Sequence, residues 1–242
     1  MKRVAILQPN YLPWKGVFDM IYQVDCFVFL DDVQYTTGDW RNRNKVQTQS
    51  GLKWVSVPVK SKLGMCINEI ELSNESHWQH AHLNSFLCNY AKAPFLKEYR
   101  WILRELYEER EWRSLAELDI YATKLLCRVL GCEREFVVSS DLTTHGIKDD
   151  RLLDILKQVG GTYYLSGPAA QDYIVPEKFA AQGVELAYIK YDYPVYRQCF
   201  EPFEHGVTVL DLIFNCGPAA PWYIWGARNG DKKPCGCGVA NE

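Results

Sequence analysis

The segment from residue 31 to residue 45 reads DDVQYTTGDWRNRNK and brings together two kinds of group that cooperate in transfer chemistry. Asp31 and Asp32 are carboxylates that can take a proton from an amine or hydroxyl, or ligate Mg through oxygen. Neighbouring side chains of an extended chain point to opposite faces, so only one of the pair faces a cleft. The plain alternative is a polar turn after a strand. Arg41 and Arg43 lie two apart, with Asn42 and Asn44 between and after them. In an extended segment the two guanidiniums share one face and the two amides the other. The forked donors of Arg suit phosphate or carboxylate. A surface ion pair with Asp31 or Asp32 would account for Arg41, but for neither Trp40 nor the amides.

Other groups compete for attention. His77, His80 and His82 cluster, but without an HExxH pattern or a Cys at useful spacing, so no metal site is expected. His80 remains a candidate acid or base, as does His145. The nine cysteines are odd in number and lack framework spacing. They read as reduced thiols, Cys66 and Cys216 included. In GIKDDRLLDIL, Asp149 and Asp150 suit the positive end of a helix, whereas Lys148 and Arg151 can reach a ligand from the helix start. Ser166 and Gly167 open a small-residue turn whose free amides can hold an anion. Neither GxxxxGK[ST] nor GxGxxG is present.

The elements that must position these groups alternate. RVAIL and CFVFLDDV read as buried strands flanking the helix WKGVFDMIYQVD, in which Trp14, Val17, Phe18, Ile21 and Tyr22 share one face. That is a βαβ unit, with parallel strands. LKWVSVPV and INEIEL read as further strands. From Trp78 to about Leu130 the spacing is helical, with breaks near Ala93–Pro94 and Glu111 to Ser114, and Gly131 stops the last helix. EFVVSS, TYYLSG and VELAYIKYDYP then read as strands, alternating with the helix DDRLLDILKQVGG and the loop and short helix of PAAQDYIVPEKFAAQG. GVTVLDLIFNCG reads as a final amphipathic stretch. The expected fold is α/β, a mostly parallel sheet with flanking helices and a helical insert at about 76–131. A single domain spans 1–230, and residues 231–242 form a flexible tail.

In such a sheet, ligands bind beyond the carboxyl ends of the strands. Those ends carry Gln8, Asn10 and Tyr11; Asp31, Asp32 and Gln34, followed by Trp40 to Asn44; Ser139 and Ser140; and Ser166 with Gly167. Every one of them is polar. With 24% charged residues and a net charge of -3, the chain has no general attraction for nucleic acid. No apolar run approaches the roughly 20 residues of a membrane span. The apolar run before Gln8, Val4 to Leu7, is only four residues, too short for a signal peptide. The expected location is cytoplasmic.

These segments, with INEIEL, YYLSGPAAQDYI and DLIFNCGP, resemble the WbqC-like family, found in bacterial O-antigen and other surface-polysaccharide gene clusters. The resemblance runs from Val4 to about Pro218. Its motif positions fall on Gln8, Pro9, Asn10, Tyr11, Pro13, Trp14, Asp31, Asp32, Gln34, Trp40, Arg41, Asn42, Arg43, Asn44, Lys148, Asp149, Arg151, Ser166 and Gly167. It implies a role in modifying or transferring activated sugars or small acyl groups. The resulting expectation is a biosynthetic transferase. Arg41 and Arg43 hold an anionic nucleotide-linked or acyl-type donor, and Asp31, Asp32 or His80 removes a proton from a small acceptor. An ATP-dependent amide-forming ligase and a non-catalytic sugar- or partner-binding protein are the alternatives. The sequence names no cofactor.

Overall fold

Short β-branched and aromatic runs, bounded by polar turns, form the strands of the central layer. The computed structural model describes residues 1–234. Strand β1 (Arg3–Leu7) leads through helix α1 (Lys15–Tyr22) to β2 (Cys26–Phe29), and the two strands pair in parallel from Val4–Cys26 to Leu7–Phe29. The chain then leaves the sheet. It forms a hairpin of β3 (Arg43–Thr48) and β4 (Gly51–Ser56), and a two-residue ladder of β5 (Val59–Lys60) with β6 (Glu71–Leu72). Helices α2 (Trp78–Asn89), α3 (Leu96–Tyr107) and α4 (Leu115–Leu130) follow. The sheet resumes with β7 (Glu135–Val138), α5 (Lys148–Gln158), β8 (Tyr163–Ser166), α6 (Pro176–Ala181) and β9 (Glu185–Tyr188), and α7 (Val209–Cys216) comes after it.

The five sheet strands are all parallel, in the order β7-β2-β1-β8-β9. Successive strands step outward from β1 on one side and then, from β8, on the other. The direction reverses between β1 and β8, the point at whose carboxyl ends ligands bind in sheets of this kind. Parallel strands need cover on both faces, and two hydrophobic clusters provide it. The larger unites Phe27 and Phe29 with α1, α4 and α7, and the smaller packs Val4, Ile6 and Val28 against Ile155, Leu156 and Phe179.

The helical breaks fall where the sequence places them. Gly131 takes φ +70, a left-handed value that glycine reaches without a Cβ penalty, and closes α4. Three expectations are refined. The LKWVSVPV stretch divides between β4, which pairs with β3, and Val59 of β5, which pairs with β6, both outside the main sheet. INEIEL is extended only at Glu71–Leu72, because Ile67–Glu69 makes a 3-10 turn in which the Cys66 N–H donates to Glu69 Oε2 at 2.7 Å. In α7 all eight residues are buried, so no solvent face exists. Of the tail expected over 231–242, residues 235–242, with Cys235 and Cys237, lie outside the described residues. Among the described residues no helix is long and apolar enough to cross a membrane, and no group of three or more His, Cys, Asp or Glu could hold a metal ion.

Candidate functional site

The loop after β1 is set by an unusual backbone. Leu12 is fully buried with φ +42, a conformation that costs a non-glycine residue energy. The buried side chain of Asn44 holds it there, its Nδ2 donating to the carbonyls of Tyr11 (3.1 Å) and Leu12 (2.7 Å). The Tyr11 N–H donates to the Trp40 carbonyl at 3.0 Å, and an Arg41 Nη1 hydrogen bond ends on Asn10 Oδ1. Two segments about thirty residues apart are thereby bound into one rim above β1. Gly16 admits Trp14 alongside, since a Cβ there would lie 2.3 Å from the indole. Trp14 in turn packs edge-on to Tyr191 and Tyr193.

Asp31 and Asp32 lie just beyond β2, next to the end of β7. Asp31 is buried, and its carboxylate accepts from the Ser140 N–H (3.0 Å), Ser140 Oγ (2.7 Å) and Ser139 Oγ (3.1 Å). Asp32 is half-buried, pairs with Arg151 at the start of α5, and shares the single proton of Ser139 with Asp31. On the other side of β1, Ser166 donates to the Tyr164 hydroxyl at 3.3 Å. A Cβ at Gly167 would meet nothing within 4 Å, so space is open at the reversal point.

A buried polar group adjoins this rim. Asp119, on α4, is fully buried with neither carboxylate oxygen hydrogen-bonded, and the Thr123 hydroxyl one turn on is also unengaged. Burial pushes the Asp119 carboxyl well above its ordinary range, and the opposing charge is Arg41. Burial likewise lowers the proton affinity of Arg41, with Asp39 and Asp119 working against it. Arg41 Nε has no hydrogen-bond partner, and its Nη2 lies 3.5 Å from Asp39. Asp119 also bears on Tyr11 and Tyr35. The Tyr11 hydroxyl meets His82 Nδ1 at 2.8 Å and the Tyr107 hydroxyl, an internal relay in which burial holds His82 down at about 4.

The expected site residues therefore divide. Asn10, Tyr11, Trp40, Arg41 and Asn44 form the rim over β1; Asp31, Asp32 and Arg151 form the join between β2, β7 and α5. Asn42 donates to the Val57 carbonyl, and Arg43 binds the Gly38 carbonyl and lies over Trp54. Asp149 accepts from the Val175 N–H at 3.2 Å, while Lys148 is exposed at φ +51. Gln8 is half-buried directly after β1. Gln34 is exposed and bridges to Cys66 through its backbone. His80 stands on the exposed side of α2 against Asn84, apart from these contacts.

Asp119, Thr123 and Tyr107 escaped notice in the sequence, and His82 stood out there only as a member of a histidine cluster. A signal for Asp119 existed: Leu115, Ala116 and Ala122, at helical spacing, place it on the apolar stripe of its helix.

The comparisons with known proteins follow the same segments. An uncharacterized protein of Mycobacterium tuberculosis (strain ATCC 25618 / H37Rv), Rv1507c, is 37% identical over 227 residues, covering 93% of this chain and 98% of its own. No solved structure matches the chain. The model of the WbqC-like protein family matches residues 8–223, from directly after β1 to beyond α7, and the chain belongs to that family.

Proposed function

We propose that the protein is a cytoplasmic transferase that binds an anionic activated donor, nucleotide-linked or acyl-type, and passes its group to an amine or hydroxyl of a small acceptor. The carrying observation is the pairing of Arg41, whose Nε is unengaged and whose Nη1 bonds Asn10 in the loop after β1, with buried Asp119, whose unengaged carboxyl acts on it electrostatically. A guanidinium so placed offers charge-assisted bonds to phosphate or carboxylate. A carboxyl whose proton affinity burial has raised is suited to exchanging a proton with a bound substrate. In this reading Arg43 and Arg151 extend the cationic rim, Asp32 orients Arg151, and Gln8, Asn10, Ser166 and Gly167 flank the donor at the reversal point. Family membership supports a place in surface-polysaccharide or specialised-metabolite biosynthesis.

Calorimetric titration with a panel of nucleotide-sugars and acyl-coenzyme A thioesters tests this. Arg41→Ala should weaken binding of the donor that is taken by ~1.5–3 kcal/mol, the contribution of a hydrogen bond to a charged group. Asp119→Asn should bind that donor and fail to turn it over. No binding anywhere in the panel, or equal affinity in Arg41→Ala, overturns the reading. Phosphate or pyrophosphate release from ATP would assign an amide-forming ligase instead.

A further inference from the structure

The β3–β4 hairpin carries a surface that its own stability does not require. Trp40 and Trp54 are 40% and 43% exposed, with ring centroids 5.1 Å apart. Leu52 lies two residues from Trp54 on the same face of β4 and is exposed as well. Large apolar side chains grouped in water mark a contact surface rather than scattered surface noise. Two cations surround the rings. The Arg43 guanidinium stacks 4.1 Å from the Trp54 centroid, and the Lys45 ammonium, cross-strand from Trp54, lies 5.0 Å from Trp54 and 5.7 Å from Trp40. Among the described residues no carboxylate makes an ion pair with Lys45 or Arg43. In a chain of net charge -3 this is a local reversal of sign. The surface is also fixed to the candidate site, because the Trp40 carbonyl takes the Tyr11 N–H and Arg41 follows it in the chain.

Flat rings flanked by unpaired cations match a ligand in which an aromatic ring is joined to a polyanion. A neutral sugar would also stack on Trp, but it would bring no anion to the two cations. We propose that Trp40, Trp54, Arg43 and Lys45 form the subsite for a nucleoside diphosphate, the base stacking on the indoles and the diphosphate meeting Lys45 and Arg43. This rests on the donor reading above and narrows it to a nucleotide-linked donor, with the transferred group directed toward Arg41 and β1.

The experiment is titration of the protein with uridine 5′-diphosphate and adenosine 5′-diphosphate, followed by tryptophan fluorescence and by calorimetry. Saturable quenching is expected with at least one of them. Trp54→Ala and Trp40→Ala should weaken that nucleotide between about five- and a hundredfold, the range for losing one base-stacking partner. Lys45→Ala, which leaves both rings in place, should weaken the diphosphate several-fold while leaving the nucleoside alone unchanged. Quenching by pyrophosphate equal to that by the nucleotide overturns the base-stacking assignment. If a donor from the panel binds in an Arg41-dependent way yet is indifferent to Trp40→Ala, Trp54→Ala and Lys45→Ala, the subsite is wrong and the transferase reading stands. If neither nucleotide nor any donor binds the wild-type protein, both fall.

Discussion

Ser140 grips Asp31 twice, through its N–H at 3.0 Å and its hydroxyl at 2.7 Å, and so ties the end of β7 to the end of β2. With Ser139 adding a third contact, the carboxylate has its lone pairs committed to holding the sheet's open edge together. This geometry suits a brace better than a base.

The first prediction follows from that geometry. Asp31→Ala should cost at least ~1.5–3 kcal/mol of unfolding free energy, the contribution of one hydrogen bond to a charged group. Ser140→Ala should cost less, because its backbone N–H still reaches the carboxylate. Urea denaturation midpoints measure both. An Asp31→Ala protein as stable as wild type would remove the brace.

Asp119 should behave in the opposite way. A carboxyl whose proton affinity is raised by folding keeps its proton where the unfolded chain, with a value of about 3.9, has released it. Stability therefore falls as pH rises from about 4 toward neutrality. Asp119→Asn cannot ionise in either state and escapes this loss. Its melting temperature should match the wild type near pH 4 and exceed it increasingly toward pH 7, while turnover disappears. A melting temperature below wild type at pH 7 would show that the carboxyl is structurally engaged. Stability sacrificed at an unpaired buried group is the pattern expected of a working site.

His82 governs the acid limb. Burial holds its imidazole at about 4, against about 6.5 in the unfolded chain, and the Tyr11 hydroxyl occupies Nδ1. The unfolded state thus takes up a proton first as pH falls, and stability present above pH 6.5 is lost between there and pH 4. At about 1.36 kcal/mol per pH unit, the loss is roughly 3 kcal/mol. His82→Gln, which keeps a polar partner for Tyr11, should flatten this limb in a series of denaturation curves from pH 7 to pH 4. Parallel curves for the two proteins would exclude His82 as the source.

The polar strand ends were legible because one topological rule gathers them. Once the strands are parallel, Asp32 and Arg151 meet across 119 positions of sequence without any local signal linking them. The rim over β1 was legible only in part. Asn10, Tyr11 and Arg41 stood out by type, but Asn44 read as a ligand contact and instead supports the left-handed Leu12. The strands of the β3–β4 hairpin follow from alternation, whereas alternation carries no information on which neighbour a strand chooses. Asp119 was obscured for a different reason. An acid within an amphipathic helix ordinarily faces water, whereas the packing of α4 against the Ile67–Glu69 turn and the Gly217–Tyr223 segment leaves this one fully buried.

Lys15 presents the last case, a cation buried where no anion bonds it. Its ammonium has no hydrogen-bond partner and sits 5.0, 5.1 and 5.7 Å from the rings of Tyr193, Tyr196 and Phe203. Burial lowers it to about 8, with Asp211 opposing from a site where Tyr90, Tyr196 and Gln198 already hydrogen-bond its carboxylate. Between about 8 and the unfolded value near 10.4, the unfolded chain is protonated and the folded one is not, so stability rises with pH across that window. Below pH 8 the folded protein carries the full cost, at most ~3 kcal/mol, because attraction to three ring faces offsets part of it. Lys15→Met keeps the length of the side chain and removes the charge. It should raise the unfolding free energy at pH 7 by ~1–3 kcal/mol, and its advantage over wild type should shrink between pH 8 and 10. Since the tyrosines titrate alike in both proteins, the difference between the two stability curves isolates Lys15. A difference that stays constant across this window would mean that the ring cage alone, rather than the buried charge, sets the energetics there.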